Sequence, residues 1–421
     1  MTLANLEKFL LFLILLFLPT QLGKHFWPQF SLVYSLPIDY LSPTIYFWDL
    51  LVIFLLLVFL LQRKFVKKGA LNLFLLFILT QLLSLIPATQ GFDGLSLGAG
   101  LVRLEQYLIA GLFGVYLAAI NLREVRSLVF WSLGLSIMGE SALATAQFLK
   151  GETLNLWLLG ERSFSLSTPG IAKFDFYGTQ FLRPYATFPH PNVLAAFMVV
   201  ILPLLSFLRK QESIKNGSRI KYGMTVVAVL VGGISTILTV SRVVLVAGLV
   251  EALLLLRKKI LVWLMLGVIL ISPYLYTRFS AVFNFDNLSI LRREQLTEVA
   301  WDMFLAHPVL GAGLNNFIPQ ASDQLLVGPS RFLQPVHNIF LLALAETGIL
   351  GLLGFLGFIG YPLFKLLKLN PKPFTLNPIL LLWGVIIFLG LFDHYFLTLP
   401  QGYRLLFLVW GISISMLEWK T

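Results

Sequence analysis

The sequence has no cysteine and little charge. With no Cys in its 421 residues, neither a disulfide framework nor a thiolate metal site can be built. Only 12% of the residues are charged, against about 25% in an ordinary soluble domain. That is too little polar surface to cover a water-soluble globule. Also missing are the Gly-rich phosphate loop of ATPases, a His-Glu-x-x-His zinc motif and a Gly-x-Ser-x-Gly elbow, so ATP-driven and zinc-hydrolase chemistry have no residues to stand on. No internal repeat, low-complexity tract or polar linker marks off a soluble domain, and residues 1–421 read as one transmembrane domain.

What is present is apolar. Hydrophobic residues make up 58% of the chain, and they gather in runs of roughly 17 to 25, the length that spans a bilayer as a helix. Such runs fall near 6–22, 45–61, 70–87, 101–120, 125–148, 191–208, 223–240, 242–256, 260–276, 337–364, 377–395 and 401–418. They predict an all-α polytopic membrane protein of about twelve transmembrane helices. Because the seventh and eighth runs meet at Ser241, one long bent helix is the competing reading there. The first run, Phe9 to Leu18, is not followed by a small-x-small cleavage site and reads as a retained helix.

A net charge of +11 would suggest nucleic acid in a soluble protein. Here the basic residues sit in short clusters between apolar runs, which makes the pattern topological and leaves nucleic acid out. Arg63, Lys64, Lys67 and Lys68 follow the second run, Arg123 and Arg126 the fourth, Arg209 to Lys221 the sixth, Arg257 to Lys259 the eighth, and Lys365, Lys368 and Lys372 the tenth. Basic loops stay in the cytoplasm. Both termini are therefore expected inside, and the long segments 149–190 and 277–336 outside. The second is about 60 residues and reads as an extracytoplasmic module between the ninth and tenth helices. Within it Glu294 to Ala306 is amphipathic, with Leu296, Val299, Ala300, Met303 and Phe304 on one face.

Several residues could carry chemistry. Pro335-Val336-His337-Asn338 opens the tenth run at the outer surface, and His is the side chain that serves as a base near neutral pH without a large pKa shift. At about 100° per residue, Leu344, Gly348 and Gly351 fall beneath His337. That spacing describes either a side-chain-free track into the bilayer or glycines for helix packing. Arg242 stands at the hydrocarbon boundary, where an arginine either snorkels or grips an anion. Arg292, Arg293 and Arg183 lie in the outer segments, as solvated charges or as further anion contacts. Arg103, Glu105, Glu140, Glu251 and Glu346 fall inside runs, where ionisable groups mark function by default. Ion coupling is one reading of them; a mutually neutralising Arg103–Glu105 pair is another.

Four segments resemble the O-antigen ligase and O-antigen polymerase superfamily: Arg183 to Leu194 (RPYATFPHPNVL), Ser241-Arg242, Arg293 through Pro308 to Gly313, and His337-Asn338 followed after nine residues by Gly348-Ile-Leu-Gly351. The resemblance covers about residues 140–418. Val246 stands where the ligase pattern places Leu, four residues after the intramembrane Arg.

The resemblance implies a C-type-like, inverting membrane glycosyltransferase that takes a glycan from a polyprenyl-diphosphate carrier on the outer side of a bacterial cytoplasmic membrane. It implies His337 as the base, with Arg242 and Arg293 on the diphosphate and Arg292 and Arg183 as further contacts. Asn338, Gly348 and Gly351 would support the site, and no metal or other cofactor is called for. Expected partners are the carrier-linked glycan, a glycan, lipid or protein acceptor, and membrane lipid. A secondary transporter of a small anion and a protein O-oligosaccharyltransferase are the alternatives.

Overall fold

The computed structural model describes residues 2–64, 66, 68–89, 95–213, 219–255, 262, 265–269, 272–279, 288–325, 333–369 and 378–417. Over these the chain is mostly helical. Helix α1 (Leu3–Leu16) leads into short strands β1 (Gly23–His25), β2 (Leu32–Val33), β3 (Leu36–Pro37) and β4 (Thr44–Tyr46), then α2 (Phe47–Leu61), α3 (Lys68–Leu83), α4 (Ile86–Thr89), α5 (Leu95–Ala119) and α6 (Leu122–Lys150). A hairpin, β5 (Lys173–Phe176) and β6 (Thr179–Leu182), precedes α7 (Pro191–Ser213), α8 (Arg219–Leu238) and α9 (Arg242–Leu255). After α10 (Ser272–Phe279) come α11 (Leu288–Ala306), α12 (Phe317–Ala321), α13 (Ile339–Leu369), α14 (Pro378–Gly390), α15 (Tyr395–Thr398) and α16 (Pro400–Leu417). Of the ninth expected span, 260–276, residues 262, 265–269 and 272–276 are described, and they are helical.

Among the described residues, four helices are long and apolar enough to cross a membrane: Leu97–Ala119, Leu122–Lys150, Pro191–Arg209 and Ile339–Lys368. Shorter apolar helices stand at Phe47–Leu61, Lys68–Leu83, Tyr222–Leu238 and Pro378–Gly390. This is a membrane all-α architecture. Side chains such as Leu57, Leu60, Leu61 and Leu230 remain exposed on it, a pattern that only lipid makes favourable.

Local chemistry fixes the long helices. Asn121 caps α6, its side chain accepting from the Arg123 N–H at 3.2 Å, and left-handed Gly151 closes it with a bond to the Gln147 carbonyl. At 1.5 Å per residue the 29 residues of α6 run about 43 Å, beyond the roughly 30 Å of hydrocarbon. Its last turns therefore reach the segment that precedes α7. The junction at Ser241 is a true turn: α8 ends at Leu238, Val240 has φ of 51°, and α9 starts at Arg242. The expected amphipathic helix is α11, with Leu296, Val299, Ala300 and Met303 buried.

Two expectations are corrected. Arg103 and Glu105 do not neutralise each other. Arg103 is buried and donates to the Thr398 carbonyl at 2.7 Å, Gln106 Oε1 at 3.0 Å and Asn315 Oδ1 at 3.1 Å, while Glu105 is exposed. Nor does an even glycine track run beneath His337, because α13 is broken at Gly348, with φ 61° and ψ −167°, a region open to glycine alone. A Cβ on Gly348 would overlap the Val309 carbonyl, and one on Gly311 would overlap the Glu346 backbone. The two glycines let the 308–313 turn cross the helix backbone to backbone. The freed groups are then re-used: Ile349 N–H bonds to the Pro308 carbonyl at 2.9 Å, and the Ala345 and Glu346 carbonyls accept from Ala312 and Gly313 at 3.0 and 2.9 Å.

Candidate active site

The segment Arg183 to Asn192 has few backbone partners of its own, and α6 supplies them. Gln147 Oε1 accepts from the Tyr185 and Ala186 N–H groups at 2.9 and 2.7 Å, and its Nε2 donates to the Ala186 carbonyl at 3.2 Å. Glu140 accepts from the N–H and hydroxyl of Thr187 at 3.0 and 2.8 Å. A carboxylate inside an apolar run, which invites a transport reading, is thus spent on latching the segment before α7. Glu346 is used similarly, accepting from the Phe317 N–H at 3.2 Å.

This latch fixes Arg183, which is buried at 6% exposure. Its Nε donates to the Thr239 carbonyl at 2.6 Å and its Nη2 to Asn192 Oδ1 at 2.8 Å. One guanidinium therefore joins the start of α7 to the turn that launches Arg242. Asn192 in turn donates to Asp393 Oδ2 at 3.3 Å.

Asp393 follows α14 and lies where four elements meet. His337 Nδ1 stands 3.3 Å from its Oδ1, and the His394 N–H donates to the same oxygen at 2.9 Å. Arg293, on α11, donates to the neighbouring Phe392 carbonyl at 2.8 Å. Burial acts to raise the Asp393 pKa, but the hydrogen bond and charge of His337, followed by the charges of His394 and Arg293, hold the carboxyl well below the usual carboxylate range. Burial pushes His394 and His190 down to about 3, so both rings are neutral near pH 7. His190 Nδ1 accepts from the Asn192 N–H at 3.1 Å, which requires that unprotonated nitrogen.

His337 precedes α13 by one residue. Asn338 forms the cap between them, its Oδ1 accepting from Phe340 and Leu341 N–H at 2.9 and 3.0 Å. The His337 and Asp393 side chains are 15% and 14% exposed, enough contact with solvent to exchange a proton.

His337, Asp393, Arg242, Arg293 and Arg183 all line one cavity of about 600 Å³, which also holds Ser241 and Gln334. Phe279, Phe388 and Phe392 form much of its apolar wall. Arg292 is not among the lining residues, so of the adjacent arginines it is Arg293 that faces the cavity. Gly348 and Gly351 lie outside this lining too. Sequence reasoning passed over Asp393, His394, His190 and Asn192. The signal available was Asp393-His394 itself, two ionisable residues at the end of an apolar run.

Residues 192–356 match the family model described as O-Antigen ligase. Over that stretch the chain is similar to the O-antigen ligase family. The matched segment contains Asn192, Arg242, Arg293 and His337, whereas Arg183, His190 and Asp393 complete the cavity from outside it. No curated protein matches the sequence at a significant level. The O-antigen ligase match and the apolar helices together support a membrane glycan-processing function of ligase or polymerase type.

Proposed function

We propose that the protein is an inverting glycosyltransferase of the cytoplasmic membrane's outer face, which transfers or polymerises a glycan delivered on a polyprenyl diphosphate. Its twelve spans would place both termini in the cytoplasm and the cavity outside. The observation that carries the reading is the meeting of a His–Asp pair with two arginines around one cavity. Joining two sugars through a hydroxyl needs a base for the proton and a stabiliser for the departing diphosphate. Both are present, and His337 and Arg293 are held by contacts to Asp393 and the Phe392 carbonyl, the preorganisation that electrostatic catalysis needs.

In this mechanism Asp393 accepts from His337 Nδ1–H and so leaves the Nε2 lone pair facing the acceptor. Nε2 takes the acceptor hydroxyl proton as the oxygen bonds to the anomeric carbon, and the bond from that carbon to the diphosphate breaks on the opposite side, inverting the centre. The negative charge that grows on the leaving diphosphate is met by Arg242 and Arg293. Guanidinium forks suit phosphate oxygens and keep their charge at any accessible pH, so no metal is required. Arg183 acts one layer back, holding the turn that aims Arg242.

The test uses purified full-length protein, a polyprenyl-diphosphate-linked glycan and separate glycan, lipid and peptide acceptors. His337→Ala is expected to lower kcat by about 10²- to 10⁴-fold, the usual worth of a general base. Arg242→Ala and Arg293→Ala are expected to raise the donor KM by roughly 10- to 100-fold, as each removes a charge-assisted contact of about 1.5–3 kcal/mol. A peptide product alone would make the protein an O-oligosaccharyltransferase. Absence of any product, together with uptake of a small anion in proteoliposomes that Glu140→Gln abolishes, would make it a transporter and overturn the proposal.

A further inference from the structure

The His337–Asp393 pair has a neighbour that base catalysis leaves unused. His394 is buried, with its ring centroid 5.0 Å from that of His337 and its Nε2 3.9 Å from Asp393 Oδ1. Thr398 contacts it twice. The Thr398 hydroxyl donates its one proton to the His394 carbonyl at 3.1 Å and lies 2.6 Å from His394 Nδ1. With that proton on the carbonyl, Nδ1–H donates in the shorter contact and Nε2 of the neutral ring is a bare lone pair. This lone pair faces the oxygen of an ionised carboxylate. Two such groups repel unless positive charge lies between them.

The third group at that oxygen is His337 Nδ1, at 3.3 Å. One ligand atom each from His337, Asp393 and His394 lie within 4.8 Å of one another, beside the open cavity. Two imidazole nitrogens and one carboxylate oxygen suit a first-row divalent ion, which binds such atoms at about 2.0–2.2 Å and takes its fourth ligand from water. Ligand atoms around such an ion stand roughly 3.3–3.6 Å apart. Asp393 Oδ1 stands 3.3 and 3.9 Å from the two nitrogens and no pair of the three atoms exceeds 4.8 Å, so side-chain rotations without backbone movement close the set.

We propose that His337, Asp393 and His394 form a Zn²⁺ site, and that its occupation inhibits the enzyme. Metal on Nδ1 displaces the proton there, and the neutral His337 ring carries it on Nε2 instead, so no net proton is released. Nε2 then has no lone pair for the acceptor hydroxyl, while the Asp393 charge is spent on the ion. Binding follows from the ligand set alone; the inhibition rests on the glycosyltransferase reading.

The experiment titrates purified full-length protein with Co²⁺, whose visible ligand-field absorption reports the ligand set. A Cys-free chain with five histidines gives little competing signal. One Co²⁺ per chain, displaced by Zn²⁺, is expected, with affinity falling at least about 10-fold in His394→Gln and Asp393→Asn and unchanged in His25→Gln and His307→Gln. Unaltered affinity in His394→Gln, or loss in His25→Gln or His307→Gln, would overturn the site. Should the cluster variants fail to fold, mass spectrometry of the unsubstituted protein treated with diethylpyrocarbonate replaces them. Zn²⁺ but not Mg²⁺ should protect His337, and equal modification with either ion refutes the proposal. If product formation is measurable, Zn²⁺ should abolish it in step with occupancy and a chelator restore it; full activity at full occupancy would overturn the inhibition. A protein with the Co²⁺ spectrum but no transferase activity without metal would refute the functional reading and leave the metal site standing.

Discussion

Replacing Asp393 by Asn tests the site most directly, because it removes a charge while keeping size and shape. The carboxylate oxygen lies 3.3 Å from His337 Nδ1, in a pair whose side chains are 15% and 14% exposed. When the imidazole takes a proton in the transition state, the new positive charge meets that carboxylate. At an effective dielectric of about 20, two unit charges 3.3 Å apart attract by about 5 kcal/mol, an upper limit for the loss. The Asn oxygen can still accept from the His394 N–H and from His337, which returns about 1–2 kcal/mol of hydrogen bonding. The remainder is about 3 kcal/mol, or roughly 150-fold in kcat. The donor KM should move little, since Asp393 faces His337, His394 and Asn192 rather than the arginines' anion. Steady-state product formation in detergent or proteoliposomes measures both parameters, and Asp393→Glu should recover part of the rate. A fall of less than about fivefold would show that His337 works without its carboxylate and would refute the reasoning.

Three further outcomes are expected. A cysteine at exposed Asp302 on α11 should react with an impermeant thiol reagent in whole cells, whereas labelling only after lysis would reverse the orientation. Gly348→Ala should cost about 3 kcal/mol or more and lower the melting temperature, since Ala cannot take φ 61°, ψ −167° without strain and its Cβ would meet Val309; an unchanged melting curve would dispose of the backbone-crossing argument. His190 has its folded pKa lowered to about 3, below the unfolded value near 6.5, so the native state binds fewer protons between these limits and loses stability as pH falls from about 6.5 toward 3. Thermal midpoints measured across that window should decline less steeply in His190→Gln, and parallel declines would remove His190 as the cause.

The helices were legible because lipid imposes an all-or-none rule: a segment of sufficient length and apolarity has few alternatives to becoming a helix. Helix ends were less so, depending on single caps such as Asn121 and Gly151 that leave hydropathy unchanged. The ionisable residues inside the runs were legible as costly, but not as to purpose. Glu140 and Arg103 bond to groups 47 and 295 positions away, and in Arg103 that distant group is a backbone carbonyl, which no side-chain pattern announces. Gly348 shows a different limit. Angular spacing assumes an unbroken helix, and the same glycine used to place it on a face is where the helix breaks, because the 308–313 turn passes through it.

Arg293 shows how sequence and structure combine at the site. The resemblance made it an expected anion contact, and its side chain lines the cavity. Yet one of its N–H groups is committed to the Phe392 carbonyl, the peptide immediately before Asp393. The residue proposed to grip the leaving group therefore also fixes the carboxylate that orients the base. A lysine cannot do both: its single ammonium could replace the charge or the carbonyl contact, but it lacks the planar fork that spans them. Arg293→Lys should consequently lower kcat as well as weaken donor binding, whereas Arg242→Lys, for which no such second contact is seen among the described residues, should act mainly on donor KM. Steady-state kinetics of the two variants side by side decide the point, and a pure KM effect in both would show that the Phe392 contact does not position Asp393.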